Sequence, residues 1–279
     1  MNRAIYIRRR VVNRMFLLLS ISAAIVGIIA LGLILYALLM NGFHSLSPTL
    51  FTMDQPAAGS KGGLANAIWG SLILNGIAIV VGTPIGILAG TYLAEYGRHT
   101  RLADIVRFAN DILLSTPSIL IGLFIYVIVV ARMQHYSTLA GSAALAIIVV
   151  PVVVRTTENM LLLVPNTLRE AAASIGAPRA ISIRAVTWRA ARAGIVTGVL
   201  LALARISGET APLIFTAFGN QTTSFDLFEP IGNLPLVIYK FFNEPDDYMH
   251  SLAWAGALLI TGTVLTLSVI ARVLEKRRS

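Results

Sequence analysis

The amino-acid sequence predicts an all-α integral membrane protein with six transmembrane helices and both termini in the cytoplasm. Three observations carry that prediction. Of the 279 residues, 56% are hydrophobic and only 13% charged, with a mean hydropathy of +0.78; soluble domains carry about a quarter charged residues. Six windows are long enough to cross a bilayer, which takes roughly 20 mostly apolar residues: about 15–40, 67–93, 110–131, 139–161, 193–218 and 250–273. The connections then divide by charge. Eighteen Lys and Arg fall in the N-terminus, the 94–109 connection, the 155–192 region and the C-terminus, against Lys61, Arg132 and Lys240 on the other side. Cationic connections stay in the cytoplasm. The net charge of +9 therefore reports topology, and no nucleic-acid partner is expected.

Residues 1–64 hold a basic N-terminus, the first helix and an irregular outer connection. The apolar run from Met15 to Met40 is too long for a signal-peptide core and lacks a small-residue cleavage site, so it is expected to be retained. A transmembrane domain is expected over 65–272, with a cytoplasmic connection at about 162–192, followed by a basic cytoplasmic tail at 273–279. In the second window, Gly82, Gly86 and Gly90 recur every four residues. Small residues at that spacing let two helices approach closely in a bilayer, with Pro84 tolerated as a kink. In the outer connection 219–249, Asn233-Leu-Pro-Leu-Val-Ile-Tyr-Lys-Phe-Phe242 has the character of a short interfacial amphipathic helix. The same connection carries Asp226, Glu229, Glu244, Asp246 and Asp247 against Lys240. That fits a docking rim for an extracytoplasmic partner as well as the simple lack of a topological constraint on acids.

Two pairs of charges lie where lipid penalises them. Arg205 and Glu209 fall mid-span in the fifth window, four residues apart and hence on one helix face. An arginine at a helix centre costs at least ~2.5–3.5 kcal/mol on insertion scales, so it must face protein or water. Arg155 and Glu158 repeat the pattern near the cytoplasmic end of the fourth window. Each pair reads either as a structural ion pair or as a polar patch on a solute pathway. Two facing arginines, each beside a glutamate, suit an oxyanion held by guanidinium and released when the pair re-forms. Arg155, Glu158, Arg205 and Glu209 are thus the candidate substrate-pathway residues. No catalytic cluster accompanies them. With no cysteine, neither a disulfide nor a thiolate metal site is possible, and His44, His99, His135 and His250 form no ligand set. A transport subunit is expected rather than an enzyme, with no cofactor or metal of its own.

Between the fourth and fifth windows, Pro165-Asn-Thr-Leu-Arg-Glu-Ala-Ala-Ala-Ser-Ile-Gly-Ala-Pro-Arg179 is a soluble interruption. Asn166 or Thr167 can cap a short helix, Gly176 can end it in the left-handed conformation, and Pro178 suits the first turn of a second helix. None of Lys61, Lys240 and Lys276 lies in a GxxxxGK[S/T] context, so if ATP drives this protein, another chain binds it. Glu170, Ala171 and Ala172, with Gly176 four residues on, resemble the EAA loop of ABC-importer permeases, the binding-protein-dependent transport system inner-membrane components. The usual Ile-x-Leu-Pro end of that loop falls on Val186, Thr187, Trp188 and Arg189, without the leucine and proline. Ala204-Arg-Ile-Ser-Gly-Glu-Thr-Ala-Pro-Leu213, Ser115-Thr-Pro-Ser-Ile, Pro230-Ile-Gly-Asn-Leu-Pro235 and Leu252-Ala-Trp-Ala-Gly256 are similar to the A-type permease of bacterial phosphate-specific importers, and the likeness runs from about Ala65 to Arg272.

The resemblance implies a type-I ABC importer permease fold in the bacterial cytoplasmic (inner) membrane. It implies that Glu170, Ala171, Ala172 and Gly176 form a coupling helix seated in the ATPase. It implies as partners a second, related permease chain, two cytoplasmic ATPase subunits that bind ATP and Mg, and a periplasmic phosphate-binding protein. The function implied is inward passage of inorganic phosphate by alternating access. An ATP-independent anion channel or secondary transporter, or an ABC permease for molybdate or sulfate, would use the same spans and arginines.

Overall fold

The computed structural model describes residues 3–57, 59–97 and 100–276, with side chains from Ile7 to Leu274; Arg98, His99 and the tail beyond Lys276, counted above among the cytoplasmic charges and histidines, lie outside them. Every regular element among these residues is helical. In chain order they are α1 (Arg3–His44), α2 (Thr49–Thr52), α3 (Ala65–Thr91), α4 (Arg101–Ser115), α5 (Ser118–Ile125), α6 (Ala131–Met133), α7 (Thr138–Leu162), α8 (Asn166–Ser174), α9 (Arg179–Ser182), α10 (Trp188–Ile206), α11 (Ala211–Thr216), α12 (Leu234–Phe242) and α13 (Asp247–Lys276). Three π-helical segments join or extend them: Tyr92–Tyr96 after α3, Tyr126–Val130 between α5 and α6, and Ile183–Thr187 between α9 and α10. Five stretches are long and apolar enough to cross a membrane: Ile7–His44, Ala65–Tyr96, Thr138–Leu162, Arg179–Ile206 and Asp247–Leu274. The pair Arg101–Ser115 and Ser118–Met133, bent by 103°, is a sixth if it counts as one span.

That bend corrects the straight third window, 110–131, read from hydropathy. Thr116 precedes a proline, which bars it from the helical conformation, and it stands extended at ψ 130°. The fifth window, 193–218, is likewise interrupted. α10 ends at Ile206 and α11 begins at Ala211; Gly208 is a poor helix former, and Pro212 is favoured in the first turn of a new helix, where it stands. Arg205 and Glu209 are therefore not on one helix face: Arg205 is in the last turn of α10 and Glu209 is in the break. Proline alone does not decide such breaks. Pro84 lies inside α3 and Pro151 inside α7, both unbroken, and the Asn110 amide donates to the Pro151 carbonyl at 3.4 Å.

The core is built on α7, which is mostly buried and packs against α3, α10, α11, α5 and α4. The α3–α7 seam is the glycine stripe read from the sequence. A Cβ added at Gly82 would come within 2.8 Å of Val149, at Gly86 within 2.6 Å of Val153, and at Gly90 within 2.7 Å of Thr157. Leu74, Ala78, Leu145, Val149, Val153, Ala202, Ile206 and Leu213 fill the space around it. α12 forms at the position expected, capped by Asn233, whose Oδ1 accepts from the Leu236 amide at 3.0 Å. Its apolar side is buried against α13 and α3 with Leu234, Val237 and Phe241 at 8% exposure or less. α1 stands apart: almost all of its surface is uncovered, and it reaches the rest of the chain where Gly42 meets Leu258 and Trp254 of α13.

Candidate substrate pathway and coupling surface

The antiparallel pairing of α7 with α10 sets the depth of the candidate arginines. Gly194 seats on Met160 and Gly198 on Thr156, while Gly141 at the far end of α7 meets Leu213 and Ala217. Position 155 is thus level with about position 199. At 1.5 Å rise per residue, Arg155 lies roughly 9 Å nearer the α8 end than Arg205. Arg155 and, one turn on, Asn159 are exposed residues of the otherwise mostly buried α7. Arg205 is half exposed, and its Nε is 4.0 Å from Oε1 of the mostly buried Glu209.

The structure re-partners the other pair. Glu158 is 4% exposed and accepts from Arg107 of α4 at 2.8 Å, not from Arg155. Arg107 also reaches Asp104 at 3.3 Å and the carbonyl of Leu93 at 3.3 Å. Arg155 faces Asp111 of α4 instead, at a loose 3.9 Å with both side chains about half exposed. The physical reason is α4 itself. The bend of 103° separates it from α5, and α4 packs on α7 with Arg107 and Asp111 within reach of Glu158 and Arg155. The expected i,i+3 pair on α7 loses to a cross-helix pair that buries the carboxylate.

The two helix breaks are neighbours. α11 packs along α5, with Gly122 so close to Pro212 that a Cβ there would lie 2.5 Å from the proline Cα. Both half-helices run toward the end where Ser137 donates to Thr216 O at 3.1 Å. Their starts at Ser118 and Ala211 therefore open on the same region, which also holds Ser207, Gly208 and Glu209. Ser115 and Gly208 are exposed there, with the half-exposed Arg205 beside them.

At the other end lies the stretch carrying Glu170. α8 runs from Asn166 to Ser174, with Pro165 rather than Asn166 or Thr167 at the cap position and no side chain capping it. Gly176 ends it at φ +74°, and Pro178 stands immediately before α9. Ala172 is buried, while Glu170, Ala171 and Gly176 are exposed. Around them Leu163, Leu168, Ile175 and Ile181 are exposed too, Ile175 at 83%. Such a cluster of bare apolar side chains beside charges marks an interaction surface. Where the family proline is missing, the chain simply continues as helix: α9, the π-helical Ile183–Thr187 and α10 are uninterrupted.

α8 is tied to the transmembrane core by Arg169. Its guanidinium contacts Glu95 at 2.7 and 3.1 Å through Oε1 and 3.3 Å through Oε2. It also donates to the carbonyls of Leu161 at 2.8 Å and Val164 at 2.7 Å, at the end of α7. Arg179 donates to the Glu95 carbonyl and lies over the Tyr96 ring, 4.4 Å from its centroid. Trp188 Nε1 donates to Thr91 Oγ1 at 3.1 Å. Glu95, Arg107 and Asp111 were not singled out in the sequence. A lone acid closing an apolar window was the available signal for Glu95, and an acid opening one for Asp111.

Residues 82–279 match the family of binding-protein-dependent transport system inner membrane components. The chain belongs to that family and is a transport component of the inner membrane. Among its relatives, it is 55% identical over 271 residues, 97% of each chain, to the phosphate transport system permease protein PstA of Pasteurella multocida. It is 54% identical to the protein of that name from Haemophilus influenzae, over 95% of this chain and 94% of the other. With them it belongs to the A-type permease branch of the family, as the residues in the sequence suggested. Among solved structures it matches the MetNI methionine ABC transporter in its inward-facing conformation, with a TM-score of 0.62, 20% identity, and coverage of 76% of this chain and 95% of that one. At that identity the likeness is one of fold, and it bears out the type-I importer permease architecture.

Proposed function

We propose that this chain is the channel-forming permease subunit of an ATP-driven importer that moves inorganic phosphate inward by alternating access. Its partners in this reading are a second related permease, two cytoplasmic ATPase subunits binding ATP and Mg, and a periplasmic phosphate-binding protein. Both termini and the α8–α9 loop face the cytoplasm, as the distribution of Lys and Arg requires. The observation that carries the reading is the identity of more than half, over nearly the full length of both chains, to permeases of phosphate transport systems. The geometry supports it. Arg205 sits at a helix break with Glu209 as a loose, 4.0 Å neutralising partner, and Arg155 has Asp111 in the same relation. Pairs this loose give up a guanidinium to a passing oxyanion without the cost of tearing apart a tight buried bridge. The sites are weak because conduction requires release. Glu158, held by Arg107, supports the pathway from behind. Glu170, Ala171, Ala172 and Gly176 form the seat for the ATPase, with Ile175 at its tip.

The test is uptake of labelled phosphate by the assembled complex in vesicles, with ATP inside and binding protein outside. Wild-type complex should import phosphate only with ATP, and molybdate or sulfate should not compete at equal concentration. Arg205→Ala should abolish uptake in a fully assembled complex. Uptake without the ATPase subunits would overturn the ATP-driven reading, and undiminished uptake by Arg205→Ala would overturn the role of that arginine.

A further inference from the structure

The sequence alone suggests that motion of the coupling loop reaches the pathway along the chain, through α7 on one side and α10 on the other. The hydrogen bonds trace a second route, beside the bonds from Arg169 to the Leu161 and Val164 carbonyls at the end of α7. The last turn of α3 and its π-helical extension, Thr91 to Tyr96, collect contacts from four other elements. Arg169 of α8 engages the Glu95 carboxylate through both of its oxygens. Arg179 of α9 engages the Glu95 carbonyl. Trp188 of α10 engages Thr91, and Arg107 of α4 engages the Leu93 carbonyl while holding Glu158 of α7. The Glu95 side chain is only 7% exposed and that of Arg169 18%. A buried charge-assisted fork of this kind is stiff and directional, whereas exposed pairs contribute little. The pair also borders a cavity of about 320 Å³ lined by Ala173, Ala177, Ser182 and Ile183. The loop thus has space to shift while the fork holds. Finally, π-helical turns occur frequently at functional sites, and Glu95 sits on one.

We propose that Glu95 is the core-side receiver of the coupling loop. As a positioning residue, it converts displacement of α8 into displacement of the α3 end, and through the Leu93 carbonyl and Arg107 it carries α4, with Asp111, along. This rests on the reading of the chain as an ATP-coupled permease. The route brings the push to the Arg155–Asp111 pair from the α4 side, in addition to whatever passes along α7.

The experiment uses the full complex in vesicles and compares wild type, Glu95→Gln and Glu95→Asp. Glutamine keeps the size and one acceptor oxygen but removes the charge; aspartate keeps the charge at shorter reach. Expected for Glu95→Gln is normal co-purification of the ATPase and near-normal ATP hydrolysis. Phosphate imported per ATP should fall roughly tenfold, within the range by which single contacts alter coupling between sites, and Glu95→Asp should recover part of the loss. A purely structural role would instead lower assembly or hydrolysis together with uptake. An unchanged ratio of import to hydrolysis in Glu95→Gln overturns the proposal, as does loss of the ATPase from the complex. Because the chain has no cysteine, spin labels placed through Ala180→Cys on α9 and Ile105→Cys on α4 give a readout that does not depend on the solute. ATP should leave their separation nearly constant in wild type, where α4 follows the loop, and change it in Glu95→Gln, where the loop moves without α4; an equal change in both overturns the proposal. A wild-type complex that imports no phosphate defeats the functional reading alone, while the label distances still decide the role of Glu95.

Discussion

Removing Arg107 should destabilise the folded chain far more than removing Arg155, although the sequence gives Arg155 the more prominent place. Glu158 is 4% exposed and has Arg107 at 2.8 Å. Truncating the partner of a buried ion leaves an uncompensated charge, which costs about 3–5 kcal/mol. The Arg107 side chain is 27% exposed, so water can partly replace it, and the lower end, about 3 kcal/mol, is the expected loss for Arg107→Ala. For a domain approaching this size, that corresponds to a fall in Tm of roughly 6–12 °C. Arg155 and Asp111 are 3.9 Å apart with 48% and 55% exposure, so Arg155→Ala should cost no more than about 1 kcal/mol. Adding Glu158→Gln to Arg107→Ala should recover part of the loss, because a neutral amide replaces the stranded carboxylate. The measurement is thermal unfolding of the assembled complex, with every variant compared in the same assembly because partners stabilise by mass action. An Arg155→Ala variant as unstable as Arg107→Ala would refute the assignment of partners. So would strict additivity of Arg107→Ala and Glu158→Gln, since groups in contact are expected to couple.

Other expectations follow from the same geometry. Gly86→Val should lower the thermal midpoint by an amount equivalent to about 1–3 kcal/mol, because even its Cβ would meet Val153 at 2.6 Å. Gly76→Ala in the same helix, with nothing within 4 Å, should be neutral or stabilising by up to about 1 kcal/mol; equal effects at both positions would deny the seam. Gly176→Ala should cost about 1 kcal/mol for its left-handed backbone, read as a lower midpoint with ATPase affinity reduced at most modestly. Ile175→Asp, at a side chain 83% exposed, should leave the chain folded yet abolish co-purification of the ATPase, and retention of the ATPase would move the docking surface elsewhere.

The membrane class, the spans and the glycine seam were legible because each depends on local composition or spacing. Gly82, Gly86 and Gly90 need only a facing helix, and α7 supplies it. The position of the α8–α9 loop and its Gly176 turn were legible for the same reason. The partner of Glu158 was not. Its nearest arginine in the sequence, Arg155, is three residues away and Arg107 is fifty-one away, and only the bend at Thr116–Pro117 decides between them. That bend was written in the sequence as a residue before proline, but Pro84 and Pro151 look alike and leave their helices whole. Hydropathy averages over such punctuation, so it recovered where the chain crosses and missed how two of the crossings are broken. Glu95 was hidden for another reason: a single acid beside a span has many possible partners, and only folding brings Arg169 to it.

The adjoining breaks at 115–118 and 207–210 also bear on how the protein can exist. Interrupted helices leave amide and carbonyl groups without intrahelical partners, and a hydrocarbon environment offers none, so such backbone persists at membrane depth only against protein or water. Ser115, Pro117 and Gly208 are nevertheless exposed on the lone chain. Either water or another chain must therefore cover that face, and in the reading proposed above the related permease does so. Made without its mate, the subunit should be short-lived in the membrane and cleared by quality-control proteases, so that its abundance follows the supply of the mate rather than its own rate of synthesis.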